Sequence, residues 1–181
     1  MKIEEILNET DATLDKRVLA SQKLIKSEDL RKQSAELIKN QDKDFALKAL
    51  MVFEVIGRER FDTLEAFIPS LINHGKLYND SSSRRCLSKI YKFAIHSDKN
   101  PETHFNLSRQ SKLEIIEQSF LWLVSQEATA VKVFSMQNIF DLKEEESWIS
   151  EQLQGILEKD IAQSSAGYKS RGIKILRKLK Q

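Results

Sequence analysis

Three histidines, one cysteine, a run of serines and two tryptophans are the side chains through which this sequence could do chemistry. His74, His96 and His104 fall near helix ends or in a long loop, and no two share the spacing of a metal-ligand pair. At a helix C-terminus an imidazole is an ordinary surface group that complements the dipole. Cys86 follows Arg84 and Arg85, whose charge can lower a thiol pKa. It also occupies an apolar register, which makes it a core residue first. The serines at 81 to 83 precede Arg-Arg and a helical pattern, so they read as a helix start. The sequence holds no glycine-rich phosphate loop, nucleophile elbow or HExxH. The expectation is a protein with no catalytic residues, no metal and no cofactor.

Binding is the remaining chemistry. Six basic residues, Lys169, Arg171, Lys174, Arg177, Lys178 and Lys180, crowd the last helical segment, and Arg84, Arg85, Lys89 and Lys92 form a second basic set. All but Lys180 are the candidate binding residues, for nucleic acid or an acidic partner. The competing reading is structural, because lysines in a last turn favour the helix dipole and charged faces solubilise end caps. Asp141, Glu144, Glu145, Glu146 and Glu151 form an acidic patch just before the basic helix, and opposite ends of this kind suit head-to-tail association. Trp122, Trp148, Phe120 and Tyr91 would line a base-stacking groove if they faced outward. Trp122 precedes Leu123 and Val124, which points to partial burial.

The elements that position these residues are helices. Only five glycines and two prolines occur in 181 residues, well below the roughly 12% of average usage, which disfavours turn-rich strand architectures. Helical spacing gives segments from about 2 to 8 and from a cap at Thr10 or Asp11 to 26. A third restarts at Ser27, and Asn40 and Asp42 mark the turn before FALKALMVFEVIG. In that segment Phe45, Ala49, Val52, Phe53 and Ile56 share one face, with Lys48 and Glu54 outside it. Phe61, Leu64, Phe67, Ile68, Leu71 and Ile72 form the next apolar face, where Pro69 kinks the helix or resets its start and Gly75 caps its end. Cys86, Leu87, Ile90, Tyr91, Ala94 and Ile95 point inward on the helix after the serines. Residues 97 to 107 read as the longest loop, and Ser108 caps a helix that buries Leu113, Ile116, Phe120, Leu121, Leu123 and Val124. Two more helices, VKVFSMQNIFDL and WISEQLQGILEKDI, flank the acidic turn, and the basic helix follows Gly167.

A pattern recurs across these segments: a small residue, a bulky one four positions on, and another three later. Ala49-Phe53-Ile56, Cys86-Ile90-Phe93, Ser135-Ile139-Leu142 and Gly172-Leu176-Leu179 repeat it at spacings of 37, 49 and 37 residues. A period of ~40 residues is the signature of stacked helical repeats, and a residue without bulk lets crossing helices approach to ~8 to 10 Å. The amphipathic periodicity of any helix offers a rival explanation for the same offsets.

TAVKVFSMQNIFDLKEEESWISEQLQGILEKD and SSAGYKSRGIKILRKL resemble the HEAT (ARM/HEAT superhelical) repeat family, in Val131-Lys132 and Tyr168-Lys169 at helix starts and in Trp148 and Pro69-Ser70-Leu71 at second-helix openings. The Asp that commonly follows between the helices of that family is not evident in every copy. The likeness covers roughly Leu30 to Leu179. It implies an all-α, right-handed α-α superhelix of about four helix pairs. The expected organisation is one domain over 1–181, with a degenerate part at 1–40, core repeats at 41–166 and a basic capping helix at 167–181. The tail also looks like that of small bacterial helical-repeat proteins, mostly from the Bacteroidetes, that sometimes carry the label adenylosuccinate lyase. The Met-Pro-x-Lys-x-Asn-type signature of the true lyases has no counterpart here, so that label is expected to be wrong. Solenoid enzymes that repair alkylated DNA share the architecture, and that likeness requires an exposed Trp beside an acid in a basic cleft.

The charge balance, 29 Lys plus Arg against 27 Asp plus Glu, does not demand nucleic acid. The single cysteine excludes an internal disulfide and fits a reducing compartment, and no apolar run reaches the ~18 residues of a membrane span. The expected protein is a soluble, cytoplasmic scaffold or adaptor that binds a protein partner and no membrane. Nucleic-acid binding or glycosylase-like DNA repair is the alternative.

Overall fold

The computed structural model describes residues 2–181, and all the regular structure in them is helical. Ten α-helices and three short 3₁₀ turns are found among the described residues, as the scarcity of glycine and proline predicts. The chain divides after Phe105 into two compact units.

The first unit contains α1 (Ile3–Asn8), α2 (Leu14–Ile25), α3 (Glu28–Lys39), α4 (Ala46–Glu59), α5 (Ile68–Gly75) and α6 (Ser81–Lys99). Within it α4 packs on α2, α3 and α6, while α5 packs on α3 and α6. The helices thus fall into two rows, α2-α4-α6 and α3-α5. Because α4 has neighbours on three sides, a single apolar stripe does not suffice, and Ala49, Leu50, Val52, Phe53, Val55 and Ile56 are all buried. Glu54, expected outside the apolar face, is buried too, at 9% exposure. Lys48 keeps a polar role and donates from Nζ to the Leu7 carbonyl at 2.9 Å, satisfying an end group of α1.

Local chemistry sets the boundaries. Ser27 caps α3 by accepting from the Leu30 amide at 3.3 Å. Asp80, rather than the serines after it, caps α6 through the Ser83 amide at 2.8 Å. Asp11 binds the Thr13 amide and hydroxyl before α2, whereas the Thr10 hydroxyl turns back to the Ile6 carbonyl. Pro69 resets the chain, sitting in the first turn of α5 where its missing amide costs nothing. Gly75 is not a left-handed cap: no described glycine has positive φ, and α5 ends through a right-handed Lys76. The left-handed position belongs instead to Gln41, φ 51°, just past α3. There the Gln41 amide donates to Ile38 at 3.1 Å and the Asp42 amide to Leu37 at 3.0 Å. That pair of bonds is a Schellman motif with glutamine where glycine is usual.

The second unit contains α7 (Arg109–Val124), α8 (Thr129–Asp141), α9 (Ile149–Asp160) and α10 (Ala166–Leu179). α8 packs on α7, α9 and α10, and α10 packs on α9. Ser108 caps α7 as expected, accepting from the Ser111 amide at 3.0 Å. The small positions sit where helices meet: Ala49, Cys86 and Ser135 are fully buried, and Gly172 is buried in α10. A Cβ added at Gly172 would lie 3.1 Å from Ile161 Cδ1, a tight contact to which the isoleucine side chain would have to yield.

The apolar face of α7 differs from expectation. Ile115, Ile116, Ser119, Trp122 and Leu123 are inward, whereas Leu121 and Val124 are exposed and Leu113 and Phe120 are half-buried. The helix is apolar on two sides. The polar residues Gln118 and Ser119 on its inner face disguised which side faces the core. No helix among the described residues is long and apolar enough to cross a membrane.

Candidate functional site

The two basic sets meet different fates. On α6, Lys89 Nζ lies 2.6 Å from Glu54 Oε1 and Arg85 Nη1 lies 3.4 Å from Glu54 Oε2, while Arg17 of α2 approaches Oε1 at 4.0 Å. Three cations thus surround one carboxylate whose side chain is 11% exposed. Arg84 is turned to the preceding loop, donating to the Tyr78 carbonyl at 2.8 Å and to Asn79 Oδ1 at 3.2 Å. Lys92 is half-buried on the same helix. The structure therefore ties Arg84, Arg85 and Lys89 into the packing of the first unit.

Cys86 stands beside this cluster, with Arg85 Nη2 3.8 Å from its Sγ. Burial, reinforced by the Glu54 carboxylate, pushes the thiol up to about 12 and outweighs the cations. Arg85 does pull the thiol down, as its place beside Cys86 allows, but burial prevails, and Cys86 is the core residue its apolar register predicts.

In the second unit, Arg171, Lys174, Arg177 and Lys178 of α10 line a cleft of ≈ 280 Å³ together with Gln137, Phe140 and Ile175. Arg171 Nη1 donates to Gln137 Oε1 at 2.7 Å. Lys178 Nζ lies 5.8 Å from the Phe140 ring centroid. Lys169 is not among the lining residues, and Lys180 pairs with Glu158 at 3.0 Å.

A second depression, ≈ 560 Å³, opens between α7 and α9. Leu113, Ile116, Phe120, Leu121 and Val124 supply one wall, Trp148 and Ile156 the other, and Glu117 and Gln152 are its polar members. Trp148 is 49% exposed, with its ring centroid 5.6 Å from that of Phe120. No lysine or arginine lines this groove, and among the described residues Glu117 has no hydrogen-bond or ion-pair partner. Trp122, expected to be partly buried, is 1% exposed on the opposite side of α7, and Tyr91 is buried in α6. The four aromatic residues singled out as a stacking surface are therefore split between core and groove. The sequence signal for the groove was the outer stripe 113-117-120-121-124, with the buried Ile116 at its border, legible only once the inner stripe is assigned separately.

The acidic patch is largely neutralised at home. Glu145 pairs with Lys112 at 3.1 Å, Glu146 with Arg109, and Glu144 with Lys143, which leaves little charge for head-to-tail association. His74 Nδ1 contacts the Ser70 carbonyl at 2.8 Å within α5, and His96 and His104 are exposed. Among the described residues, no group of three His, Cys, Asp or Glu is placed to hold a metal ion. No protein-family model, curated protein or solved structure matches the chain.

Proposed function

We propose that the protein is a non-catalytic adaptor of HEAT-like helix pairs, and that its second unit binds a protein partner by seating an amphipathic helix in the α7–α9 groove. The observation that carries this reading is the groove itself: six apolar side chains, a half-exposed tryptophan and one unpaired carboxylate on a helical framework. Exposed apolar patches of this kind mark association surfaces, and a helix laid in a groove is a standard way to fill them. Charge complementarity defines the occupant: an apolar face at i, i+3, i+4 and i+7 with a lysine or arginine that reaches Glu117. The two-row packing of the first unit and the small residues at helix crossings support HEAT-like pairing within each unit. A base-flipping repair site would pair an exposed Trp and an acid with cations, and the groove around Trp148 and Glu117 has none.

The test is selection from a displayed library of helical peptides, followed by binding of the enriched sequences to the full chain. Enriched peptides should carry the apolar spacing and one basic residue, and Leu121→Asp or Trp148→Ala should abolish their binding. Glu117→Lys should switch the preference to an acidic residue at the same peptide position. An absence of enrichment, or peptides indifferent to all three substitutions, would overturn the assignment.

A further inference from the structure

We infer that the α8–α10 cleft is a binding site for a linear chain of phosphate groups, independent of the α7–α9 groove. Arg171, Lys174, Arg177 and Lys178 bring four cationic side chains to one cleft, and none of the four has a carboxylate partner among the described residues. This contrasts with the cations around Glu54 and with Lys112 and Lys180, which are matched to carboxylates. Such unmatched positive charge in a concave site attracts anions.

The ligand's length follows from the helix. Residues 171, 174 and 178 recur at helical spacing on one face, and at 1.5 Å per residue they span about 10 Å. That is long for one phosphate and suits successive phosphates on a chain. The guanidinium of Arg171 is held by Gln137 Oε1 at 2.7 Å, while Gln137 Nε2 holds Asp141 Oδ1 at 2.8 Å. The amide therefore fixes the arginine and restrains the nearby carboxylate. Phe140 is engaged by cations: Lys178 and Lys143 each place an ammonium 5.8 Å from its centroid. Recognition should accordingly be of the phosphates and not of a base. Two sources present that chemistry, inorganic polyphosphate and the backbone of a single-stranded nucleic acid.

Fluorescence anisotropy with labelled inorganic polyphosphate, oligo-dT, oligo-dA and poly-glutamate, across a salt series, tests the site. Binding of at least one phosphate probe is expected, with dT and dA equivalent and poly-glutamate much weaker. Binding of polyphosphate alone identifies the free polymer as the source, and binding of the oligonucleotides alone identifies the nucleic-acid backbone. Four contacts give a slope of log K against log salt of about −3 for a single strand, and Lys174→Glu/Arg177→Glu should flatten it by about 1.4. The same pair should weaken binding at low salt roughly tenfold or more, while the charge-matched pair Lys132→Glu/Lys159→Glu should leave it near wild type. Both cleft residues are exposed, and thermal unfolding checks that each variant is folded. No binding of any phosphate probe, equal losses in the two pairs, or equal affinity for poly-glutamate would each overturn the proposal.

Discussion

Replacing Glu54 with glutamine removes one negative charge while keeping the shape of the side chain. It leaves Arg17, Arg85 and Lys89 around a site that no longer balances them. The contacts at 2.6, 3.4 and 4.0 Å are close, and the cationic side chains are 24%, 29% and 15% exposed in that order, so solvent screens them only in part. Breaking a buried pair from one side typically costs 3–5 kcal/mol; partial exposure places Glu54→Gln near the lower figure, about 3 kcal/mol. For a chain of this length that corresponds to a fall in Tm of roughly 6 to 12 °C. Lys89→Met should cost less, about 1 kcal/mol, because two cations still face Glu54. Urea unfolding of the wild type, both single variants and the double variant closes a thermodynamic cycle, with an expected coupling of at least about 1 kcal/mol. A Glu54→Gln protein within 0.5 kcal/mol of wild type, or additive single effects, would refute the view that this carboxylate organises the α2-α4-α6 row.

Cys86 should make stability fall in alkali. Its folded pKa is about 12, against ~8.5 in an unfolded chain, so folded protein holds the proton more tightly. The stabilising share is full below about pH 8.5 and is lost as pH rises toward 12, with a slope of at most about 1.4 kcal/mol per pH unit. Unfolding at pH 8, 9 and 10 should show that slope reduced in Cys86→Ala; identical slopes would exclude the thiol as its source. Gln41→Gly relieves a left-handed non-glycine residue and should stabilise the protein by about 1 kcal/mol in the same assay, whereas Gln41→Val should destabilise it.

Helix number and order were legible because the periodicity and the capping residues Ser27 and Ser108 act locally. The identity of buried faces was less so. α4 reads as one-sided until its three neighbours are known, and Glu54 was misplaced because nothing nearby in sequence announces Arg85 and Lys89, more than thirty positions away. On α7 two apolar stripes coexist, and only packing decides that Trp122 belongs to the core while Leu121 and Val124 belong to the groove. The basic residues behaved likewise: composition marked both sets, but distance to a carboxylate separates Arg85 and Lys89 from Lys174 and Arg177. The left-handed turn at Gln41 was missed because glutamine gives no sign of it.

The pairings of Lys112 with Glu145 and of Arg109 with Glu146 join the first turn of α7 to the turn that leads into Trp148. They tie together the two segments that lead, in sequence, into Leu113 and Trp148 of the α7–α9 depression. The Arg109–Glu146 tie is open to solvent, Arg109 at 71%, so mobile ions compete for it, whereas Lys112 and Glu145 are only 20% and 26% exposed. Rising ionic strength would therefore slacken the Arg109–Glu146 tie first and leave the Lys112–Glu145 tie to hold the two segments together.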